Sequence, residues 1–217
     1  MTDYATLRTT MVDTQIRPSD VTKFTVIEAM LNVPREAFVP NSLRDAAYVD
    51  TCVPLDTGRV VLDARTLAKM LDALDIQTDE LVLDVGAGLG YSSAVIARMA
   101  EAVIAVEDDD ARASEAQSTL TEQGADNAVV HHGALVDGAA EHGPYDVVVL
   151  QGGVEHMPEG LLTQLKEGGR IAALFVEGAL GVVRIGYKLD GDINWTFAFN
   201  AGAPVMPGFE KDRAFQL

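Results

Sequence analysis

The first 75 residues carry apolar positions at helical spacing, interrupted by polar and proline-containing stretches. The pattern predicts one helix over Leu7–Ile16, a second that begins with Ser19 or Asp20 as its cap, and a third that Asp63 caps. Just before the third helix, Val60–Leu62 is predicted to form a short apolar strand or a packed turn. The region is therefore expected to form an N-terminal helical cap that packs on a sheet edge.

From residue 76 onward, apolar runs alternate with segments that have helical periodicity. Such runs predict buried strands joined by crossover helices, which is the pattern of a doubly wound parallel sheet. The predicted strands are Leu81–Val85, Ala102–Glu107, Ala128–His131, Tyr145–Gln151 and Arg170–Val176. Two later β-rich runs, Gly181–Tyr187 and Asn194–Phe199, flank an Asp-Gly pair and predict a hairpin. The predicted fold class is α/β, a Rossmann-like doubly wound sheet with an N-terminal helical cap and a C-terminal β-hairpin.

One domain is expected over residues 1–217, because 48% of the residues are hydrophobic and the chain is long enough to bury a full core. Residues 1–75 are assigned to the cap and a substrate-loop region, residues 76–200 to the cofactor-binding core, and residues 201–217 to a C-terminal tail. In that tail, Phe209 and Phe215 are expected to pack back on the domain.

An apolar run followed by alternating glycines carries the clearest chemistry in the sequence. The run stops at Asp84 and predicts a buried strand, whereas Gly86, Gly88 and Gly90 predict a tight turn before a helix. Glycines let a ligand approach the backbone where a Cβ would collide, and free N–H groups at a helix start can receive an anionic group. The dinucleotide fingerprint requires glycine at its sixth position, where this chain has Tyr91, so a nucleotide-dependent oxidoreductase is disfavoured.

A second acid, Glu107, ends the next predicted strand about twenty residues beyond the first glycine, where a ribose-diol acceptor is expected. The acids that follow it, Asp108–Asp110, favour the start of a helix, and we prefer helix capping to a metal site there. His131 and His132 are adjacent on a predicted strand and would point to opposite faces, which makes them poor co-ligands. No metal is expected.

Charge and composition narrow the partners and the compartment. The chain has 33 acidic and 16 basic residues, and its net charge of −17 repels phosphate backbones and anionic lipid surfaces. Neither nucleic acid nor a membrane is therefore expected as a partner. No apolar stretch approaches the length of a membrane span, and the N-terminus lacks the layout of a signal peptide. The single cysteine, Cys52, fits a reducing compartment, so a cytoplasmic protein is expected. The sequence leaves the oligomeric state open.

Three N-terminal segments resemble the region that precedes the glycine turn in the protein-L-isoaspartate O-methyltransferase family. The segments are Met11–Ile16, Val33–Pro40 and Ala47–Asp50. The similarity continues through the glycine turn and Glu107 to Leu165–Arg170, and it covers most of residues 11–176. The stretch from Asp84 to Gly90 is shared with many class I S-adenosylmethionine-dependent methyltransferases, whereas Val33–Pro40 is more particular to this one family.

The resemblance implies S-adenosylmethionine as methyl donor, S-adenosylhomocysteine as product, and a protein or peptide as substrate. The implied cofactor-binding positions are Asp84, Gly86, Gly88, Gly90, Tyr91, Glu107, Asp108, Gly133 and Ala134. Among these, Asp84 is assigned to the ammonium side of the methionine moiety. The family has an aspartate at position 134 that accepts from the adenine amino group. Because alanine cannot do so, we expect adenine binding to be weaker by about 0.5–1.5 kcal/mol.

Residues 58–70 depart from the family pattern, which reads Gly-Gln-Thr-Ile-Ser-Gln-Pro-Tyr. Val60 and Leu62 stand at the two hydroxyl positions beside the reacting carboxylate, and their side chains cannot donate a hydrogen bond to it. Arg59 or Arg65 is a candidate for holding a substrate carboxylate, although a solvated surface arginine is the favoured interpretation. Gln151 either positions the methyl acceptor or satisfies loop backbone, and the sequence favours neither.

The preferred hypothesis is a methyltransferase that acts on a protein or peptide carboxylate, a family activity associated with protein repair. Such an acceptor is ionised at neutral pH, so the absence of an obvious general base is no objection. The alternative is a family member that binds the cofactor or its product but has lost isoaspartyl repair activity. It would use another acceptor or act as a non-catalytic sensor or scaffold. Val60, Leu62 and Ala134 motivate this alternative.

Overall fold

We describe the chain from a computed structural model that covers residues 2–178 and 180–211. The helices are α1 (Tyr4–Met11), α2 (Phe24–Asn32), α3 (Ala64–Leu74), α4 (Tyr91–Ile96), α5 (Asp110–Glu122) and α6 (Glu159–Thr163). The strands are β1 (Val53–Asp56), β2 (Arg59–Val61), β3 (Leu81–Val85), β4 (Ala102–Glu107), β5 (Ala128–His132), β6 (Tyr145–Val154), β7 (Leu165–Glu177), β8 (Leu180–Leu189) and β9 (Asp192–Asn200). In the part of the chain that the structure covers, no helix is both long and apolar enough to cross a membrane.

Seven of these strands form one sheet in the order β5-β4-β3-β6-β7-β8-β9. Strands β3 to β7 pair in parallel, whereas β8 and β9 add antiparallel at one edge. The hairpin turn uses Asp190 and Gly191, both with positive φ (55° and 85°), as a tight Asp-Gly turn requires. The predicted doubly wound sheet and its hairpin are confirmed. The direction of winding reverses between β3 and β6, and at such a point an open sheet forms a crevice at its carboxyl edge.

The N-terminal cap covers a face of the sheet, so the prediction that it packs on a sheet edge is wrong. Met11 and Met30 of the cap share one apolar core with Leu67 of α3 and with Val82 and Val149 of the sheet. Alternate strand residues face the opposite side and build a second core there. The assignment of one domain and its division at residues 75 and 200 stay predictions.

The second helix begins later than the sequence predicts. Asp20 lies in the left-handed region (φ 63°), and α2 begins only at Phe24. The Asp72 carboxylate of α3 holds the segment just before α2, since its Oδ1 accepts the N–H groups of Thr22 and Lys23, both at 2.9 Å. The N-cap residue of α2 is Lys23, which makes no side-chain capping hydrogen bond. The prediction of Ser19 or Asp20 as cap is therefore wrong, because the chain turns at Asp20 and the helix begins only at Phe24.

After β9 the tail returns to the carboxyl end of β6. The N–H of Gly153 donates to Pro204 O (2.8 Å), and the N–H of Met206 donates to Gly153 O (2.9 Å). Phe209 is fully buried, which confirms its predicted packing. Phe215 lies outside the described residues. The tail thus reaches the carboxyl edge of the sheet, where ligands bind in open α/β folds.

We expect Asp72→Ala to lower the free energy of unfolding by about 0.5–1.5 kcal/mol, because the N–H groups of Thr22 and Lys23, just before α2, lose their acceptor. Urea denaturation followed by circular dichroism measures the change. Asp79→Ala replaces a nearby exposed aspartate and serves as the matched control, with a change within about 0.5 kcal/mol. Equal stabilities of the two variants would contradict the role of Asp72 in holding this segment.

Candidate cofactor site

The glycine turn has the geometry that the sequence predicts. Gly86, Gly88 and Gly90 all have positive φ (83°, 61° and 94°), which residues with a Cβ rarely adopt. The turn is fixed to the neighbouring strand, since the N–H groups of Gly86 and Ala87 both donate to Val106 O (2.9 and 3.1 Å). Helix α4 begins directly after Gly90. The strand, turn and helix start are therefore confirmed.

Asp84 is fully buried at the end of β3, and its carboxylate is bound by the protein itself. The hydroxyls of Ser92 and Ser93 donate to one oxygen and Gln151 Nε2 donates to the other, all at 2.6 Å. Burial raises the pKa of Asp84 above its ordinary value, although the three hydrogen bonds act in the opposite direction. In this arrangement Asp84 joins β3 to α4 and β6.

Gln151 makes a contact that neither of its two sequence interpretations includes. It contacts Asp84 through its amide nitrogen, at 2.6 Å, and is itself buried. A carboxylate removed from water needs donors, and Gln151 supplies one of them. This contact is a structural role that the sequence does not suggest, and the two sequence interpretations of Gln151 stay predictions.

Glu107 lies where the spacing places it, at the carboxyl end of β4 beside the glycine turn. The N–H of Gly88 donates to its Oε2 at 2.8 Å. Its Oε1 accepts from Arg112 Nε at 2.9 Å and from the N–H of Asp109 at 3.3 Å. The side chain is fully buried. The structure thus brings Gly88 and Glu107 together, as a nucleoside site requires, and surrounds the acid with donors of the chain itself.

The remaining donor to Glu107 is Arg59, and the expectation that this arginine is a solvated surface residue is wrong. Its side chain is only 3% exposed, and its Nη2 donates to Glu107 Oε2. Its Nη1 lies 3.7 Å from Asp108 Oδ1. A buried guanidinium requires charged partners, and Glu107 is 48 residues away in sequence. Arg65, by contrast, is partly exposed on α3.

The chain's own side chains occupy the space above the glycine turn. A Cβ at Gly86 would lie 2.9 Å from Met206 Sδ and 3.3 Å from Arg59 Nη1, and one at Gly88 would lie 2.6 Å from Leu55 Cδ1. The cavity at this turn measures only about 10 Å³. Sites for drug-sized molecules measure roughly 300–1,000 Å³. In this arrangement the residues therefore do not leave room for S-adenosylmethionine.

Val60 and Leu62, at the family's hydroxyl positions, both border this small cavity together with Gln151. Leu62 is buried in the apolar core, whereas Val60 is partly exposed. Neither side chain carries a hydrogen-bond donor. A hydroxyl is therefore tolerated more readily at position 60 than at position 62, where it would enter the core.

Arg35 is a residue whose importance the sequence does not reveal. It is fully buried, and it donates through Nε to Ala47 O and through Nη2 to Leu62 O, both at 2.7 Å. Its guanidinium also stacks over the ring of Tyr91 at 4.6 Å. Arg35 thereby fixes the chain just after β2 to the cap. Its place within Val33–Pro40, the segment most particular to the suggested family, is the one available signal.

Tyr91 contacts the cap more closely than the cofactor assignment implies. Its ring is 1% exposed, and its hydroxyl lies 3.2 Å from Met30 Sδ of α2. Its position at the start of α4 still borders the small cavity. Tyr91 thus packs between the glycine turn and the cap, and its assignment to the cofactor stays a prediction.

At the end of β5, Gly133 lies beside Glu107, since its N–H donates to Glu107 O at 3.0 Å. Ala134 is exposed. His131 does not pair with His132; instead His131, Glu141 and His142 form a cluster with ligand atoms within 4.8 Å of one another. Imidazole and carboxylate are ligands that a transition metal accepts, so among the described residues this cluster could hold one. The expectation of no metal remains a prediction.

The family model and the sequence relatives that match this chain share one enzyme name. The family model described as Protein-L-isoaspartate(D-aspartate) O-methyltransferase matches residues 7–181. A protein-L-isoaspartate O-methyltransferase 1 of Rhodopseudomonas palustris is 39% identical over 170 residues, which are 78% of this chain and 69% of the relative. A protein-L-isoaspartate O-methyltransferase 2 of Pelobacter propionicus is 35% identical over 184 residues, 82% of each chain.

Two solved structures are similar in fold over nearly the whole chain. A protein-L-isoaspartate O-methyltransferase superposes with a TM-score of 0.78 at 24% identity, covering 94% of this chain and 65% of its own. A putative enzyme of the same name from Plasmodium falciparum, in complex with S-adenosyl-L-homocysteine, has a TM-score of 0.78 at 19% identity. It covers 95% of this chain and 99% of its own. At these identities the similarity establishes the fold.

We expect Glu107→Gln to lower the free energy of unfolding by roughly 3–5 kcal/mol, because it leaves the buried Arg59 without its main charged partner. Urea denaturation measures the change. The matched control is Glu177→Gln, which breaks the exposed pair with Arg184 and should cost about 0–1 kcal/mol.

Combining Glu107→Gln with Arg59→Gln should restore part of the loss, because the uncompensated charge is then gone. A double variant whose loss equals the sum of the two single losses would contradict direct coupling between the two side chains.

Proposed function

Because the chain belongs to the protein-L-isoaspartate O-methyltransferase family, we propose that it is a methyltransferase that transfers a methyl group from S-adenosylmethionine to a protein or peptide carboxylate. The observation that carries the proposal is the pairing of Glu107 with the N–H of Gly88 at the crevice of the sheet. That pairing supports the assignment of Glu107 as the ribose-diol acceptor, because it puts a strand-end acid beside the glycine turn. The family match over residues 7–181 supports the same activity, and it disfavours the non-catalytic alternative.

S-adenosylmethionine is the cofactor of this family, and a structural relative is named as a complex with S-adenosyl-L-homocysteine. We propose that this chain holds its cofactor with the residues assigned from the sequence, after the filled space above the glycine turn opens. These residues are Asp84, Gly86, Gly88, Gly90, Tyr91, Glu107, Asp108, Gly133 and Ala134. Glu107 and the turn glycines support the assignment most directly. Glu107 lies at the end of β4 beside the turn, and the glycines let a ligand approach the backbone closely.

The proposed acceptor is a carboxylate of an isoaspartyl residue in a protein or peptide. A carboxylate is already ionised at neutral pH, so the protein has to align it and exclude water and needs no general base. The net charge of −17 argues against a nucleic-acid substrate. The single cysteine, Cys52, is free, which is compatible with a reducing cytoplasmic compartment as part of this proposal.

A methyl-transfer assay on a synthetic isoaspartyl peptide tests the proposal directly. We expect the chain to methylate that peptide and to leave the corresponding aspartyl peptide unmodified. Absence of transfer to the isoaspartyl peptide, together with absence of S-adenosylhomocysteine binding by calorimetry, would overturn the proposed function.

We expect Val60→Thr to raise kcat/KM for the isoaspartyl peptide by about tenfold, because the new hydroxyl can donate a hydrogen bond to the charged acceptor. The same assay measures the change. Val129→Thr makes the identical substitution at an exposed site on β5 and should leave kcat/KM unchanged. If Val60→Thr behaves like this control, position 60 does not contact the acceptor.

A further inference from the structure

The side chains above the glycine turn come from two distant segments that meet there. Arg59 approaches from β2, and Met206 approaches from the tail, which lies beyond residues 7–181 of the family match. A Cβ at Gly86 would touch both of them, at 3.3 Å from Arg59 Nη1 and at 2.9 Å from Met206 Sδ. The two segments therefore fill the same space, directly over the turn that identifies the cofactor site.

Arg59 also saturates the acceptor that a ribose diol would use. Together with Gly88, Asp109 and Arg112 it brings four donors to the Glu107 carboxylate, two on each oxygen. A carboxylate offers about four lone-pair directions, so no acceptor position remains for a ligand hydroxyl. A ribose can bind Glu107 only after one of these donors leaves. Arg59 and Arg112 are the two side-chain donors, and Arg59 is the one that also fills the space above the glycine turn.

The tail is held over the turn by main-chain hydrogen bonds and one buried aromatic ring. Besides the two bonds that join Gly153 to the tail, the N–H groups of Glu155 and His156 donate to Phe209 O at 2.9 and 3.0 Å. Met206 is 1% exposed between these attachments. The Met206 side chain is thus positioned by the backbone of β6 and of the loop that follows it.

The closed arrangement contains an unsatisfied group. Within the described residues, Arg59 Nε and Nη1 are buried and have no hydrogen-bond partner. Buried donors without an acceptor are costly, and they regain water when the side chain swings out. Because the closed state carries this cost, a ligand that makes good contacts with the crevice can displace it.

We propose that Arg59 and Met206 form a latch that closes the cofactor crevice, and that S-adenosylmethionine binds only when both side chains are displaced and the tail is released from β6. The proposal rests on the proposed function, because it takes the family's cofactor as the ligand. The measured affinity then depends on the fraction of molecules with an open latch, because the apparent Kd equals the intrinsic Kd divided by that fraction.

Titration calorimetry with S-adenosylhomocysteine on the full chain tests the latch. We expect Arg59→Gln and Met206→Ala each to bind at least tenfold more tightly than the unaltered chain, because each raises the open fraction. Arg65→Gln and Met99→Ala are the matched controls. Arg65 is a partly exposed arginine on α3, and Met99 is a buried methionine that, unlike Met206, is not among the atoms nearest to a Cβ at Gly86. Their affinities should equal that of the unaltered chain.

Hydrogen exchange gives a second readout that does not depend on activity. Saturating S-adenosylhomocysteine should speed exchange at the N–H groups of Met206, Glu155 and His156, whose acceptors separate when the tail leaves. Equal affinity of all variants with unchanged exchange would overturn the latch while methyl transfer could still uphold the proposed function. If folded Arg59→Gln and Met206→Ala bind no S-adenosylhomocysteine, the latch is also overturned, and absence of methyl transfer would then overturn the function as well.

Discussion

The buried carboxylate of Glu107 is the interaction on which the arrangement of the crevice depends. Three segments donate hydrogen bonds to it: the glycine turn through Gly88, the β1–β2 hairpin through Arg59, and the first turn of α5 through Arg112. A charge in this position is tolerated only if donors surround it, and each donor comes from a different part of the chain. The three segments therefore pack correctly only when all of them are in place around Glu107.

The sequence predicts the sheet and the glycine turn well because both depend on local pattern. Each of the central strands is an apolar run buried on two faces, and glycine is the residue that positive φ requires at positions 86, 88 and 90. Neither signal needs knowledge of a distant partner. The same reasoning explains why the Asp-Gly hairpin could be placed in advance.

The sequence fails where a side chain depends on a partner far along the chain. Arg59 is predicted from the sequence to be a surface residue, because most arginines are exposed. Its partner Glu107 comes close to it only in the folded chain. Asp72 holds the segment before α2, and Met206 fills the space above the glycine turn. No periodicity or local motif encodes these contacts, which arise from the way the segments meet at the end of the sheet.

The attachment of the tail to β6 has a consequence for how this protein diverges. Its hydrogen bonds join main-chain atoms of Gly153, Glu155 and His156 to main-chain atoms of the tail, and such bonds form with almost any side chain. Among the described tail residues, selection can therefore act mainly through Met206 and Phe209, whose side chains are buried. Related chains can change most tail residues and keep the same path, and a single substitution at position 206 is enough to alter what lies over the glycine turn.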